Sequence, residues 1–194
     1  LPILSTSAGL PDFRGPNGIY RRELGIDPER IFDIDWFRRD PSFFYGFHRE
    51  FLRSLEKIDP TFTHHFFANL ERQGKMAGII TQNIDSLHQR AGSKRVLEFH
   101  GGVWSSFCTS CGKTWDYQRS LAMAFASDVP RCDICNGIVK PDVVFFGEMV
   151  KHLDESRELA RRSDLFFVVG SSLNVTPAAL LPALSPGKIV AVNR

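Results

Sequence analysis

Apolar and polar positions divide the chain into a helical first part and a strand-bearing remainder. Ser5–Gly18 is rich in Gly, Pro, Ser and Asn and reads as a loop. Asp40-Pro41 supplies a helix N-cap and a first-turn proline. Phe43, Phe44, Phe47, Phe51, Leu52 and Leu55 then recur near the helical period and give that helix one apolar face. Asp59-Pro60 opens a second helix through Phe62, Phe66, Phe67 and Leu70, with Gly74 placed to end it. After Gly74 the pattern changes to short apolar runs rich in β-branched and aromatic residues: Met76–Ile80, Val143–Phe146, Leu165–Val169 and Lys188–Val192. Such runs predict buried parallel strands. Helical stretches at Asp154–Arg162 and Pro177–Leu184 separate the last three, so the expected fold class is a doubly wound α/β arrangement. Each run ends in a polar cluster: Thr81-Gln82-Asn83-Ile84-Asp85, Gly147-Glu148, Gly170-Ser171-Ser172 and Asn193. Ligands of open parallel sheets lie beyond the carboxyl ends of the strands, so the site is expected on that rim.

Composition narrows the function classes. The chain has 194 residues, 43% hydrophobic and 24% charged, with 17 Phe and 3 Trp, which excludes disorder as its main state. Its longest apolar runs, such as Leu165–Gly170, fall far short of the ~20 residues of a membrane span. A net charge of +2 and no visible basic stripe argue against direct nucleic-acid binding. No cationic stretch leads into an apolar one at the start, so a cytoplasmic location is expected.

All four cysteines fall in one pattern, Cys108-x2-Cys111 and Cys132-x2-Cys135, with twenty residues between the pairs. Two turns presenting two thiolates each can surround one tetrahedral Zn²⁺. Two disulfides or a redox pair are the alternatives, and the lack of a secretory signal favours the metal. Four thiolates fill the coordination shell, so the zinc is expected to be structural and to supply the folding energy of its short module.

STSAGLPDFRG (5–15), TQNIDSLHQRAG (81–92), LEFHG (97–101), the cysteine pairs, IVKPDVVFFGE (138–148) and GSSLNVTP (170–177) occur in one order. Together they resemble the sirtuins, the NAD-dependent protein-lysine deacylases. The resemblance implies a Rossmann-like NAD-binding domain from 1–15, 75–103 and 141–194. It implies a small domain made of a helical module (16–74) and a zinc-binding module (104–140). The glycine-rich turn that sirtuins place after their first strand is not present, since Leu1-Pro2-Ile3-Leu4 precedes Ser5. A loop and helix over the adenine are expected beyond Arg194.

The resemblance also implies roles. By itself His100 reads more readily as a capping or core residue than as a base; in the sirtuin His-Gly motif it is the catalytic base near the ribose hydroxyls. Asn83 and Asp85 would hold the nicotinamide carboxamide and order the cleavage pocket, and Gln82 would bond the ribose. Phe13 would shield the reacting ribose, and Arg14 would meet a phosphate. Gly170, Ser171 and Ser172 would face phosphate or ribose, and Asn193 the adenosine ribose. Val144, Phe146, Gly147 and Glu148 would bind the acetyl-lysine substrate, which adds as a strand. Val143 and Phe145 read instead as core. The partners implied are acetylated proteins or peptides. Mono-ADP-ribosyl transfer and non-catalytic binding of NAD or acyl peptides are the competing functions. Acyl preference turns on Tyr45, His48 and Arg49. The branch that removes succinyl or malonyl groups has Tyr and Arg three residues apart; here His48 takes the second place, which favours neutral acyl groups.

Overall fold

In this computed structural model of the protein, residues 28–193 are described. A 3₁₀ turn, Pro28–Phe32, leads into α1 (Ile34–Arg39), α2 (Pro41–Leu55) and α3 (Phe62–Arg72). Short polar side chains start the first two helices. Asp33 accepts from the Trp36 amide at 2.8 Å and Asp40 from the Ser42 amide at 3.1 Å. The apolar face of α2 is buried: Phe44, Tyr45, Phe51 and Leu52 are at most 2% exposed. Edge-to-face aromatic contacts then fix the angle at which elements meet. Phe145 lies 5.3 Å from Phe37 at 89° and 5.5 Å from Phe32 at 81°, which ties the segment around Phe145 to the helical region. Truncating one such ring, for example Phe37→Ala, removes about 3–5 kcal/mol of stability.

The remainder consists of β1 (Ile79–Thr81), α4 (Leu87–Arg90), β2 (Val96–Glu98), β3 (Gly101–Cys108), β4 (Thr114–Trp115), α5 (Tyr117–Ala126), β5 (Val139–Val143), α6 (Leu153–Arg161), β6 (Leu165–Val169) and β7 (Lys188–Val192). β1 pairs in parallel with β2, and β6 in parallel with β7. Phe99, Ala178 and Leu181 pack together with Ile80 and Phe166, so both parallel pairs share one core. A cavity of about 280 Å³ lies between β1 and β6, closed on one side by Phe67 and Leu70 of α3. No helix among the described residues is long and apolar enough to cross a membrane.

Three expectations are corrected. The run Val143–Phe146 is not a parallel strand. The strand there is β5, which ends at Val143 and lies antiparallel to β3 in the order β4-β3-β5. Both strands belong to the arms of the cysteine module, and a chain that leaves and re-enters along one path pairs antiparallel. Their crossing is close: a Cβ on Gly101, whose φ is +67°, would lie 1.9 Å from the Asp142 carbonyl oxygen. The stretch 177–184 forms two 3₁₀ turns, Ala178–Leu180 and Pro182–Leu184, because the ring of Pro182 removes an amide donor where a helix would continue. Nor are the parallel strands uniformly buried. β7 is exposed along its length, and Leu165 and Phe167 of β6 are exposed. Their apolar character marks strand propensity rather than burial.

Candidate active site

β1 delivers the first polar cluster. Beyond Thr81 the chain leaves the sheet, and the Thr81 hydroxyl accepts from the Asn83 amide at 3.1 Å. Asp85 accepts from the Leu87 amide at 3.0 Å, which opens α4. Asn83 and Asp85 are 2% and 1% exposed, so both bury polar side chains behind the rim. Ser86, held at φ +52°, donates its hydroxyl to Glu98 Oε1 at 2.8 Å and ties the turn to the end of β2.

His100 lies two residues beyond β2 and directly precedes β3. Its Nδ1 lies 3.1 Å from the Gln82 carbonyl oxygen. A carbonyl only accepts, so Nδ1 carries the proton and Nε2 keeps its lone pair. Burial lowers the imidazole pKa, and the bond to the Gln82 carbonyl opposes that shift. The ring is therefore neutral at physiological pH, the form a general base requires.

The ends of β6 and β7 complete the rim. The Gly170 amide donates to Val192 O at 2.9 Å, and Gly170 takes φ +62°, which turns the chain back toward β1. Gln82 Nε2 reaches the Ser171 hydroxyl at 3.5 Å, and Asn193 Nδ2 reaches the Ser171 carbonyl at 3.4 Å. Gln82, Ser171 and Asn193 thus meet at one place, with Gln82, Asn83 and Ser171 lining the polar end of the cavity. Ser172 is exposed beside them. Phe13 and Arg14 lie outside the described residues.

The segment after β5 runs along His100. The Val144 amide donates to the His100 carbonyl at 2.8 Å. On the other side the Phe146 amide donates to Phe32 O at 2.7 Å, and Phe146 O accepts from the Ile34 amide at 3.1 Å. Val144 is half-buried and Phe146 is 49% exposed, whereas Val143 and Phe145 are 4% and 1% exposed and belong to the core. Gly147 sits at φ +91°, and a Cβ there would meet Ile34 Cγ2 at 2.9 Å.

In the cysteine module all four ligand atoms lie within 4.8 Å of one another. The Cys108–Cys135 and Cys111–Cys132 sulfurs are 3.4 and 3.7 Å apart, beyond the ~2.05 Å of a disulfide. The Ser110 and Cys111 amides point at Cys108 Sγ, and the Ile134 amide at Cys132 Sγ, each at 3.4–3.5 Å. Amide donors favour thiolates, so this donor set fits a structural Zn²⁺.

Two further contributors lie within the quoted motifs but are given no role there. Arg90 reaches the carbonyls of Leu55 and Ile58 at 3.2 and 2.7 Å, joining α4 to the end of α2. Lys140, in the strand Val-Lys-Pro-Asp-Val, is 1% exposed. A lysine flanked by apolar residues was the available signal, since buried cations need partners.

The fold is thus a Rossmann-like α/β arrangement with a four-cysteine module, and its polar strand ends converge on one rim. A family model described as the Sir2 family matches residues 3–177. The NAD-dependent protein deacetylase of Thermotoga maritima is 45% identical over 195 residues, covering 98% of this chain and 78% of that protein. The protein of the same description from Saccharolobus solfataricus is 44% identical over 194 residues, covering 98% of this chain and 76% of that one. A solved complex of Sir2 with a p53 peptide and NAD⁺ superposes with a TM-score of 0.86 at 42% identity, covering 98% of this chain and 77% of the other. The chain belongs to the Sir2 family.

Proposed function

We infer that this chain is an NAD-dependent protein-lysine deacetylase, which moves the acetyl group of acetyl-lysine to ADP-ribose and releases nicotinamide. The observation that carries the reading is the placement of His100: Nδ1 is held by the Gln82 carbonyl, Nε2 has no hydrogen-bond partner among the described residues, and its own carbonyl anchors Val144. One residue thus faces both the nucleotide rim and the peptide segment. The rim and the buried Asn83–Asp85 turn fit NAD, which supplies a ribose carbon bearing a good leaving group.

Asn83 offers both a donor and an acceptor, as a carboxamide ligand needs, and Asp85 orders that turn through the Leu87 amide. Gln82, Ser171 and Asn193 would orient the two riboses, and Gly170 and Ser172 would leave room for phosphate. His100 Nε2 would take a proton from a ribose hydroxyl and so make that oxygen the acceptor of the acetyl group. The substrate peptide would add along Val144–Glu148, with the neutral acyl chain beside Val144 and Phe146. We read residues 16–74 and 104–140 as the modules that carry these segments against the Rossmann-like part. The four cysteines would hold Zn²⁺ as a structural support.

The acyl chain is neutral on this reading. Arg49 is spent on the carbonyls of Ala124, Ser127 and Asp128 at 3.2–3.3 Å, and the Tyr45 hydroxyl donates to Val139 O at 2.7 Å. Burial drives the His48 pKa down to about 3, so it carries no charge for a distal carboxylate. Incubation with NAD and matched acetyl- and succinyl-lysine peptides, followed by mass spectrometry, tests both points. Acetyl transfer to ADP-ribose, faster than succinyl transfer, is the expected result. ADP-ribosylated peptide without acetyl loss would overturn the deacetylase reading, and faster desuccinylation the acyl assignment.

A further inference from the structure

Lys140 is a buried cation that the proposed chemistry does not use. It lies in β5 with a side chain 2% exposed, a place where an unpaired ammonium is strongly disfavoured. Its nearest partners come from the segment that follows, while the Phe107 ring of β3 lies farther off, with its centre 5.5 Å from Nζ. Nζ donates to Val143 O at 2.5 Å and to Glu148 Oε2 at 2.9 Å, and it sits 4.0 Å from the centre of the Phe145 ring. Glu148 Oε2 also accepts from the Phe145 amide at 2.8 Å. One carboxylate oxygen and one ammonium therefore close a clamp beneath residues 143–148. Glu148 is more open, with 27% of its side chain exposed.

The clamp has a directional consequence. With Phe145 held down as a core ring, the alternation of an extended segment turns Val144 and Phe146 the other way, and Phe146 is 49% exposed. The Val144 amide stays on the His100 carbonyl. Without the ion pair, the Phe145 amide and the Val143 carbonyl lose their side-chain partners, and the turn at Gly147 loses its floor.

We propose that Lys140, acting through Glu148, is a positioning residue for the acetyl-lysine peptide: the pair holds segment 143–148 in the extended form to which a peptide strand adds. This rests on the peptide-binding reading above. A plain core ion pair would also be buried, but its removal would lower stability without singling out peptide binding.

The test compares Lys140→Met, Glu148→Gln and the double variant by amide exchange and by binding of a fluorescein-labelled acetyl-lysine peptide. Exchange at the Phe145 amide is expected to quicken by about tenfold or more in each variant, with β3 amides unchanged. Peptide Kd is expected to rise about tenfold, NAD affinity to stay within about twofold, and the double variant to be no worse than the worse single, as coupled partners behave. Glu148→Gln, at the more exposed partner, serves if Lys140→Met does not fold. Unchanged exchange at Phe145, unchanged peptide affinity, or losses that add in the double variant would each overturn the proposal. A wild-type protein that binds no acetylated peptide overturns the peptide reading itself and the proposal with it; wild-type binding with unaltered variants overturns only Lys140.

Discussion

The cysteine module and the strand rim gather polar groups by opposite means. In the module, each cysteine pair spans a single turn, and one antiparallel strand pair brings the two turns together until all four sulfurs lie within 4.8 Å. In the rim, Gln82, His100, Ser171 and Asn193 each come from a different strand end, and no two are held by a local motif. The module supplies stability through its ligands; the rim draws stability from the sheets and spends it on placing reactive groups. Loss of a ligand should therefore unfold, whereas loss of a rim residue should inactivate a folded protein.

The largest effect should come from Cys108→Ser. Structural zinc contributes on the order of 10 kcal/mol to small modules, so the variant is expected to be insoluble or misfolded and to lack stoichiometric zinc by elemental analysis. A well-folded, zinc-free variant would remove the contrast. Next is Gly101→Ala, at the junction of the two regions. Its positive φ and the 1.9 Å approach of a Cβ to Asp142 O should cost about 3 kcal/mol, read as a lower denaturation midpoint at normal zinc content.

His100→Ala should leave folding and zinc content intact and lower turnover by ~10²-fold or more, the scale of a general base. Normal deacetylation by this variant would refute the assignment. In the wild type, kcat/KM should keep its plateau to a pH below the ordinary histidine value, since burial lowers the His100 pKa.

The smallest effect concerns acid stability. Burial lowers the pKa values of His48 and His88 to about 3. The unfolded chain protonates these rings near pH 6.5 and the folded one does not, so stability falls as pH drops from about 6.5 toward 3. Each ring contributes up to about 1.4 kcal/mol per pH unit. His48→Phe, which keeps a ring beside Phe44 at a 5.2 Å stacking distance in the wild type, should lose about 2 kcal/mol less than wild type between pH 7 and pH 5 in urea titrations. Equal losses would show that His48 protonates without cost.

Legibility followed the range of the interactions. Asp40-Pro41 opens α2 as expected because a cap and the bonds it satisfies lie within one turn. The runs at 165–169 and 188–192 are strands to the residue. Val143–Phe146 misled because apolar content does not encode strand direction; β5 takes its direction from the return of the cysteine module along β3. Lys140 is a plain cation in the sequence and becomes a clamp only when Glu148 turns back over it.

The sequence by itself determined the start of α2, the cysteine ligand set and the order of the motifs, since each depends on residues a few positions apart, whereas α3 starts at Phe62 behind Thr61 and not at Asp59-Pro60. Only the tertiary structure decided that the Gln82 carbonyl selects the His100 tautomer, that Arg49 is occupied by carbonyls at the C-terminal end of α5, and that β7 is exposed. Those outcomes depend on distances between segments remote in the chain, which the packing of Phe145, Phe99 and their neighbours sets and local spacing does not encode.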